Sequence, residues 1–542
     1  MLGRARPFIS IVLIGTAPCV CDAAPSSLPN NHQLAANVMV CHVDPTTALG
    51  PVQRGVFGTN LEWFNWADSL SDDGGNVVPG WIPLAKAQGI TSVRFPGGTL
   101  SDFYHWKDGI GPEGSRPIRA HPTDPGQSPN VFGTPELLKF CAAIGATPLI
   151  TVNAGTGTAA EAAGWVAYCN QSNNAQRVAD GIAAPANVSL WEVGNELYLP
   201  GNPTDQQIIT VTPTVYATRF LAYAAAMRAV DPTIKLIAIG TANSSNVSLP
   251  YPTWSATVLS MAAPQMDYFA VHNAYFPMTF GQTGIPVKDL FQSLWAAPEA
   301  VNDSLTALSA LIAKYEGTRH IGIAVTEWGA LFSADPAEID DVKTLGSAVY
   351  LARVMQVFLG QPRVGLANYF KLTDQTFMGW VGFNQKPKIP YYVIQLFAQH
   401  FGSSLVSARI DSPTYQAKAI GSIAARSQVP ELTVVASVDA TGKKLYVNIV
   451  NRSWNTIHQV QLDTGAFRAS ASAIGWVISS PGLTDNNGVD LPSNVSASAY
   501  QEPVVSPDIR RPIAIGQTSL DVTKSIVIQP YSILTVELTA AP

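Results

Sequence analysis

Eight short apolar runs punctuate the chain between Gly55 and Leu372, and their alternation with helix-like stretches leaves few folds open. They lie at Gly55–Glu62, Ser92–Gly97, Thr147–Asn153, Ser189–Glu196, Lys235–Gly240, Tyr268–Tyr275, Ile321–Glu327 and Gly365–Leu372. Runs of this length, rich in Val, Ile and Leu and ended by Gly or a polar residue, read as parallel strands buried on both faces. Helical segments fall between several of them. Thr134–Ile144 opens on Thr-Pro-Glu, read as a Thr N-cap with Pro at the first helical position, and Thr214–Val230, Ser304–Tyr315 and Leu345–Leu359 carry helical spacing. Eight strands with helical crossovers predict a (β/α)8 TIM barrel over residues 51–400. Beyond about Phe401 the texture changes. Leu432–Val438, Lys444–Val450, Thr456–Leu462, Ala473–Ile478 and Ser525–Leu538 are strand-like, with Thr441-Gly442-Lys443 as a hairpin turn. Residues 401–542 therefore read as a C-terminal β-sandwich, and residues 37–50 as an N-terminal strand that joins it.

At 542 residues the chain is too long for one small core, and with 47% hydrophobic and 13% charged residues it is globular. A net charge of −6 argues against nucleic acid or an anionic membrane as partner and fits a neutral substrate. Arg4 and Arg6, the apolar stretch Phe8 to Ala17 and the small pair Ala23-Ala24 read as a signal peptide over residues 1–24, too short to span a bilayer. A secreted or periplasmic location follows as an expectation. Cys41, Cys141 and Cys169 lie beyond that leader without metal-ligand spacing and read as buried thiols with at most one disulfide. The eight His residues form no zinc pair, and Gly97-Gly98 lacks the Lys-Ser/Thr of a phosphate loop. Neither a metal nor a cofactor is expected.

The C-terminal strand ends of such a barrel surround one site. Strand one delivers Asn60 and Glu62, strand two Arg94, strand three Asn153, strand four Asn195 and Glu196, strand six His272 and Tyr275, strand seven Glu327 and Trp328, and strand eight is followed by Lys371, Asp374 and Gln375. Strands four and seven face each other across an eight-strand ring. Glu196 and Glu327 are thereby placed to serve as proton donor and nucleophile in acetal cleavage, the retaining form of which needs carboxyl groups about 5–5.5 Å apart. A proton donor must hold its proton at working pH, so Glu196 is expected to have a raised pKa. Glu192, inside strand four, is expected to pair with an Arg or a backbone group.

The Asn195-Glu196 pair with Glu327 resembles the signature of clan A retaining glycoside hydrolases. A longer block, Ser92-Val93-Arg94-Phe95-Pro96-Gly97-Gly98 continuing to Tyr104-His105-Trp106-Lys107-Asp108-Gly109-Ile110-Gly111-Pro112, resembles the family 51 α-L-arabinofuranosidases. That resemblance implies a barrel with a β-sandwich built from both chain ends, Glu196 as acid/base, Glu327 as nucleophile, Glu62 on the sugar hydroxyls, Arg94 supporting the nucleophile and Asn195 on the 2-hydroxyl. Tyr275 matches a tyrosine that bonds the nucleophile, and Gln375 matches a strand-eight ligand; His272 and Trp328 complete the expected sugar site. Thr99 stands where the family usually has Asn, Trp191-Glu192-Val193-Gly194 is closer to clan A glucuronidases and xylosidases, and residues 333–341 depart from the family pattern.

The expectation is a retaining exo-glycosidase that removes α-L-arabinofuranosyl or similar furanosyl groups from oligo- or polysaccharide. The alternatives are a clan A β-glycosidase acting on a xyloside, glucuronide or galactofuranoside, and a non-catalytic carbohydrate-binding protein on a barrel scaffold.

Overall fold

The computed structural model describes residues 32–120, 127–199, 209–242, 250–272, 277–279, 282, 284–330, 344–374, 378–382, 385–487 and 513–541. The leader over residues 1–24, Tyr275 and Gln375 lie outside them. Eight parallel strands close into a barrel: Gly58–Asn60, Ser92–Phe95, Thr147–Val152, Leu190–Val193, Lys235–Ile239, Tyr268–Ala270, Gly322–Trp328 and Val364–Tyr369, the last pairing with the first. These are the cores of the eight apolar runs. Their residues are buried almost throughout because helices cover the outside while side chains fill the inside.

The barrel interior changes character along its axis. Leu149, Leu190, Ile237, Ala270, Ala324 and Leu366, one from each of strands three to eight, pack into one apolar layer. Two residues further along their strands come Thr151, Glu192, Thr326 and Asn368, all wholly buried and all polar. The apolar layer is a plug, and the polar layer above it is the floor of the mouth.

Several helices differ from expectation. Helix Thr134–Ile144 is capped by Gly133, whose N–H donates to Glu136 Oε2 at 2.8 Å, so Thr134 lies inside the helix. The segment read as Ser304–Tyr315 is the second half of a helix, Val287–Ala313, that runs through Pro298.

The second domain is a nine-stranded sheet. The long strand Gln33–Pro51 pairs antiparallel with Ser404–Ile410 on one side and parallel with Thr456–Asp463 on the other. Val460, Ile526 and Ile528 from one end of the sheet share a core with Ala473, Leu534 and Val536 from the other, so the sheet folds over on itself as a sandwich. Hairpin strands Leu432–Val438 and Lys444–Asn451 flank Gly442, whose φ of 67° suits the turn. The run Ser525–Leu538 is two strands, Ile526–Ile528 and Ser532–Thr539, separated by a turn in which Tyr531 takes φ 39°. Tyr446, Val450, Ile478 and Ile533 of the sandwich belong to the same apolar core as the barrel helices, which seats the two domains on each other. Cys41, Cys141 and Cys169 are buried free thiols.

Candidate active site

The site is organised around Arg94, which is wholly buried at the end of the second strand. Its Nε donates to Glu192 Oε2 at 2.6 Å, its Nη1 to Glu327 Oε1 at 2.7 Å and to Asn60 Oδ1 at 3.0 Å, and its Nη2 to Asn195 Oδ1 at 2.7 Å. One planar guanidinium thus sets the position of groups from strands one, four and seven. Glu192 is the paired group expected from the sequence. It also accepts from Thr151 Oγ1 at 2.8 Å and Thr326 Oγ1 at 2.7 Å, and so forms part of the floor. Asn60 locks the seam of the barrel by donating to the carbonyls of Thr326 and Asn368, both at 3.0 Å.

Glu327 owes its direction to an irregularity in strand seven. Val325 pairs with Ala367 and Trp328 with Tyr369, so three residues of one strand oppose two of the other. Bulges of this kind re-aim side chains beside functional sites. Thr326 reaches Glu192 and Glu327 reaches Arg94, two adjacent residues both turned inward, while Trp328 is turned out. The expectation that Trp328 contacts sugar is therefore corrected. Its indole is wholly buried and packs edge-on against Phe358, in helix Leu345–Gly360, and against Tyr369.

Glu196 follows Gly194, at φ 80°, and itself takes φ 35°, a left-handed conformation that turns the chain off strand four. Asp102 holds this turn in place: Oδ2 accepts from the Asn195 N–H at 3.0 Å and Oδ1 from the Ala154 N–H at 3.2 Å. His272 stands between the two carboxylates. Its Nδ1 is 2.8 Å from Glu196 Oε1 and 3.9 Å from Glu327 Oε2, a span that accommodates the separation of roughly 5–5.5 Å a retaining pair needs. Tyr198 donates to Glu196 Oε1 at 3.1 Å. Glu62 lies on the other flank, against Gly97 and paired with Lys371.

The electrostatics differ from expectation at Glu196. Burial raises its pKa, but His272, Tyr198 and Arg94 outweigh burial and hold it below the ordinary carboxylate value. Burial pushes Glu327 above its ordinary value against the pull of His272 and Arg94, with the Glu196 charge adding to the rise. Burial lowers the His272 pKa, yet the two carboxylates carry it above the usual histidine value. The direction at Glu196 is thus opposite to the raised pKa expected from the sequence, and its largest opposing cause is the neighbouring His272.

Glu62, Arg94, Asn195, Glu196, His272 and Glu327 therefore meet at one mouth. Asn60, Asp102, Tyr198 and Lys371 belong to the same constellation without having been assigned roles. Asn60 and Lys371 stand at strand ends in the sequence and Tyr198 follows Glu196 by two residues, whereas Asp102 carries no such local signal. Among the described residues no cluster of His, Cys, Asp or Glu is arranged to hold a metal ion.

A closed parallel barrel whose fourth and seventh strands present carboxylates to one mouth, with Asn before the first of them, defines a clan A glycoside hydrolase. Two family models match in chain order and together span most of the chain, the α-L-arabinofuranosidase 1 domain over residues 85–278 and the α-L-arabinofuranosidase C-terminal domain over residues 326–509. The chain belongs to the family 51 α-L-arabinofuranosidases. It is 36% identical over 214 residues to α-L-arabinofuranosidase C of Emericella nidulans, covering 38% of this chain and 41% of that one. It is 27% identical over 307 residues to an intracellular exo-α-(1→5)-L-arabinofuranosidase of Acetivibrio thermocellus, covering 54% and 58%. The chain thus spans between about two fifths and three fifths of the curated relatives it matches. In fold it is similar to the α-L-arabinofuranosidase of Thermotoga maritima, with a TM-score of 0.76 at 24% identity over 92% of this chain and 100% of that one. A family 44 xyloglucanase of Paenibacillus polymyxa shares the fold at a TM-score of 0.60 and 15% identity, covering 93% of this chain and 100% of that one.

Proposed function

We propose that the chain is a secreted retaining exo-glycosidase that removes terminal α-L-arabinofuranosyl groups from oligo- or polysaccharide, its first 24 residues serving as the export signal. The observation that carries this reading is the juxtaposition of Glu196 and Glu327 on either side of His272, with Arg94 holding Glu327. Glu327 Oε2, away from the Arg94 bond, attacks the anomeric carbon while Glu196 protonates the departing glycosidic oxygen. A covalent glycosyl-enzyme forms, and Glu196, now a carboxylate, takes a proton from water as that water displaces Glu327. The lowered pKa of Glu196 assigns His272 a part in this cycle. As a glycosidic oxygen displaces the His272 contact, the imidazolium passes its proton to Glu196 and is left neutral, so the acid forms once substrate is in place. Asn195, fixed by Arg94, faces the sugar 2-hydroxyl, where a hydrogen bond strengthens toward the transition state.

The test is turnover of an aryl α-L-arabinofuranoside beside the galactofuranoside, xyloside and glucuronide, with NMR of the first-formed anomer. Glu327→Gln lowers kcat by about 10⁴-fold or more. Glu196→Ala slows deglycosylation, and added azide restores the rate as a glycosyl azide of retained configuration. Wild-type turnover by Glu327→Gln sinks the assignment, and binding of sugar without hydrolysis by the unmutated protein points to a lectin-like role. A mature N-terminus that retains the leader in protein recovered from the medium overturns the export signal.

A further inference from the structure

Outside the carboxylate pair, the most unusual charged group near the mouth is Lys371, only 4% exposed. Its ammonium meets Glu62 Oε2 in a short contact and Asp68 Oδ2 at 2.9 Å. A buried ammonium between two carboxylates is costly to desolvate and barrel closure does not call for it, since the seam between strands eight and one is already held by Asn60 and by the Leu372 N–H on the Asn60 carbonyl at 3.1 Å. The chain goes out of its way to build the cluster. Asn65, Trp66, Ala67, Asp68 and Ser69 all take positive φ, between 49° and 72°, a run of left-handed residues that L-amino acids disfavour, and this turn brings Asp68 to the lysine.

The cluster shares a wall with the reacting groups. The Glu62 side chain lies against Gly97, where an added Cβ would come within 2.3 Å of Glu62 Cγ. At Gly98 an added Cβ would stand 3.1 Å from Glu327 Oε1 and 3.6 Å from Phe370 Cε2, and the Lys371 ammonium is 5.3 Å from the centre of the Phe370 ring. Glu62, the Gly97-Gly98 turn, Phe370 and Lys371 therefore form a continuous surface leading to Glu327.

We propose that Lys371 is a specificity-determining residue of the glycone pocket: braced by Asp68, it aims the Glu62 carboxylate at the hydroxyls of a neutral sugar, and the two carboxylates around it turn away a sugar that carries its own. This rests on the reading of Glu62 as a sugar ligand at a hydrolytic site. Lys371 acts through Glu62 and is a positioning residue. A carboxylate held by a cation can only accept, which suits vicinal hydroxyl donors. One cation against two anions leaves the cluster negative, so a uronic acid entering it meets net repulsion.

Kinetics on the four aryl glycosides named above test this, using whichever the wild type turns over best. Lys371→Met raises KM about tenfold with kcat little changed, the mark of lost ground-state grip. Lys371→Arg recovers most of that loss. The Lys371→Met/Glu62→Gln double variant is no weaker than Glu62→Gln alone, since both remove one interaction. Asp68→Asn narrows the preference against the glucuronide. Additive losses in the double variant, or a fall in kcat at constant KM with a lowered Tm, overturn the proposal in favour of a structural lysine. A wild type that prefers the glucuronide overturns the exclusion of acidic sugars. Failure of the underlying reading is visible in the wild type alone: if it hydrolyses none of the four, calorimetry of L-arabinose binding to wild type and Lys371→Met tests the lysine separately, with equal affinities counting against it. Where Lys371→Met does not fold, Lys371→Arg and Asp68→Asn carry the same comparison.

Discussion

Arg94 at the barrel mouth and Arg452 at the seam between barrel and sandwich are both wholly buried and both meet carboxylates, yet they sit in opposite balances of charge. At the mouth, Glu192, Glu196 and Glu327 face one arginine and one histidine. At the seam, the single carboxylate of Glu299 in helix Val287–Ala313 faces two arginines: Arg353 grips both its oxygens at 2.9 Å, and Arg452 Nη1 lies 2.9 Å from Oε1. Burial would raise the Glu299 pKa, but the two arginines bring it down to about 2. The surplus of cations pins one charge state. The surplus of anions at the mouth leaves carboxylates competing for protons, with Glu327 raised, Glu196 lowered and His272 raised. Like arginines thus sit in one place where a single charge state is fixed and in another where carboxylate pKa values are pushed apart.

Arg94→Met breaks the comparison most severely, because it removes the cation from a three-carboxylate cluster. It is expected to cost roughly 3–5 kcal/mol of stability and about 10³-fold or more in kcat, both read from urea unfolding and turnover on the same preparation. Glu299→Gln is the matching change at the seam. It is expected to cost roughly 3 kcal/mol in stability while kcat/KM of the folded protein stays at the wild-type level. A parallel loss of activity well below the unfolding temperature would show that the seam is coupled to the mouth.

The smallest effect is in pH. Burial pushes the Asp102 carboxyl up to about 7 despite the N–H groups of Asn195 and Ala154. Its folded pKa lies above the unfolded one, so its contribution is complete below about pH 4 and is lost as pH rises through 7. His272, also raised, contributes below its unfolded value of about 6.5 and loses that contribution as pH rises through its folded value. Glu299 is depressed, so its contribution is present above about pH 4.5 and is lost as pH falls from there through about 2. Between about pH 5 and 8 the mouth therefore titrates and the seam does not. Tm measured across that range should decline toward pH 8 by a few degrees, on the order expected of a perturbed pair in a large chain, and Asp102→Asn should flatten the decline. A decline unchanged in Asp102→Asn would place its source elsewhere.

Much of the mouth is legible in the sequence. Strand ends are local, and in a closed parallel barrel every C-terminal end points to one side, so naming the last polar residue of each apolar run already gathers Arg94, Asn195, Glu196, His272 and Glu327. Glu192 was expected to pair with an Arg or a backbone group, since burying an unpaired charge is costly, and Arg94 is the partner it finds. Trp328 was misplaced because strict alternation along a strand cannot foresee a bulge that turns Thr326 and Glu327 inward together. Strand Ser404–Ile410 was missed because its apolar residues are broken by Ser407 and Arg409 and only Leu405 and Val406 are buried. The role of His272 in depressing Glu196 was hidden because it depends on a distance between two loops.

Burial and periodicity, written residue by residue, determined the barrel, the sandwich and the two glutamates that face each other. Tertiary structure decided the surroundings of those glutamates: which one Arg94 holds, how close His272 stands to Glu196, and how a left-handed turn carries Asp68 to Lys371 beside Glu62. Periodicity is a property of neighbours along the chain. Protonation and specificity depend on charges brought within a few ångströms of each other from strands hundreds of residues apart, and the Coulomb energy at those distances exists only once the chain has closed.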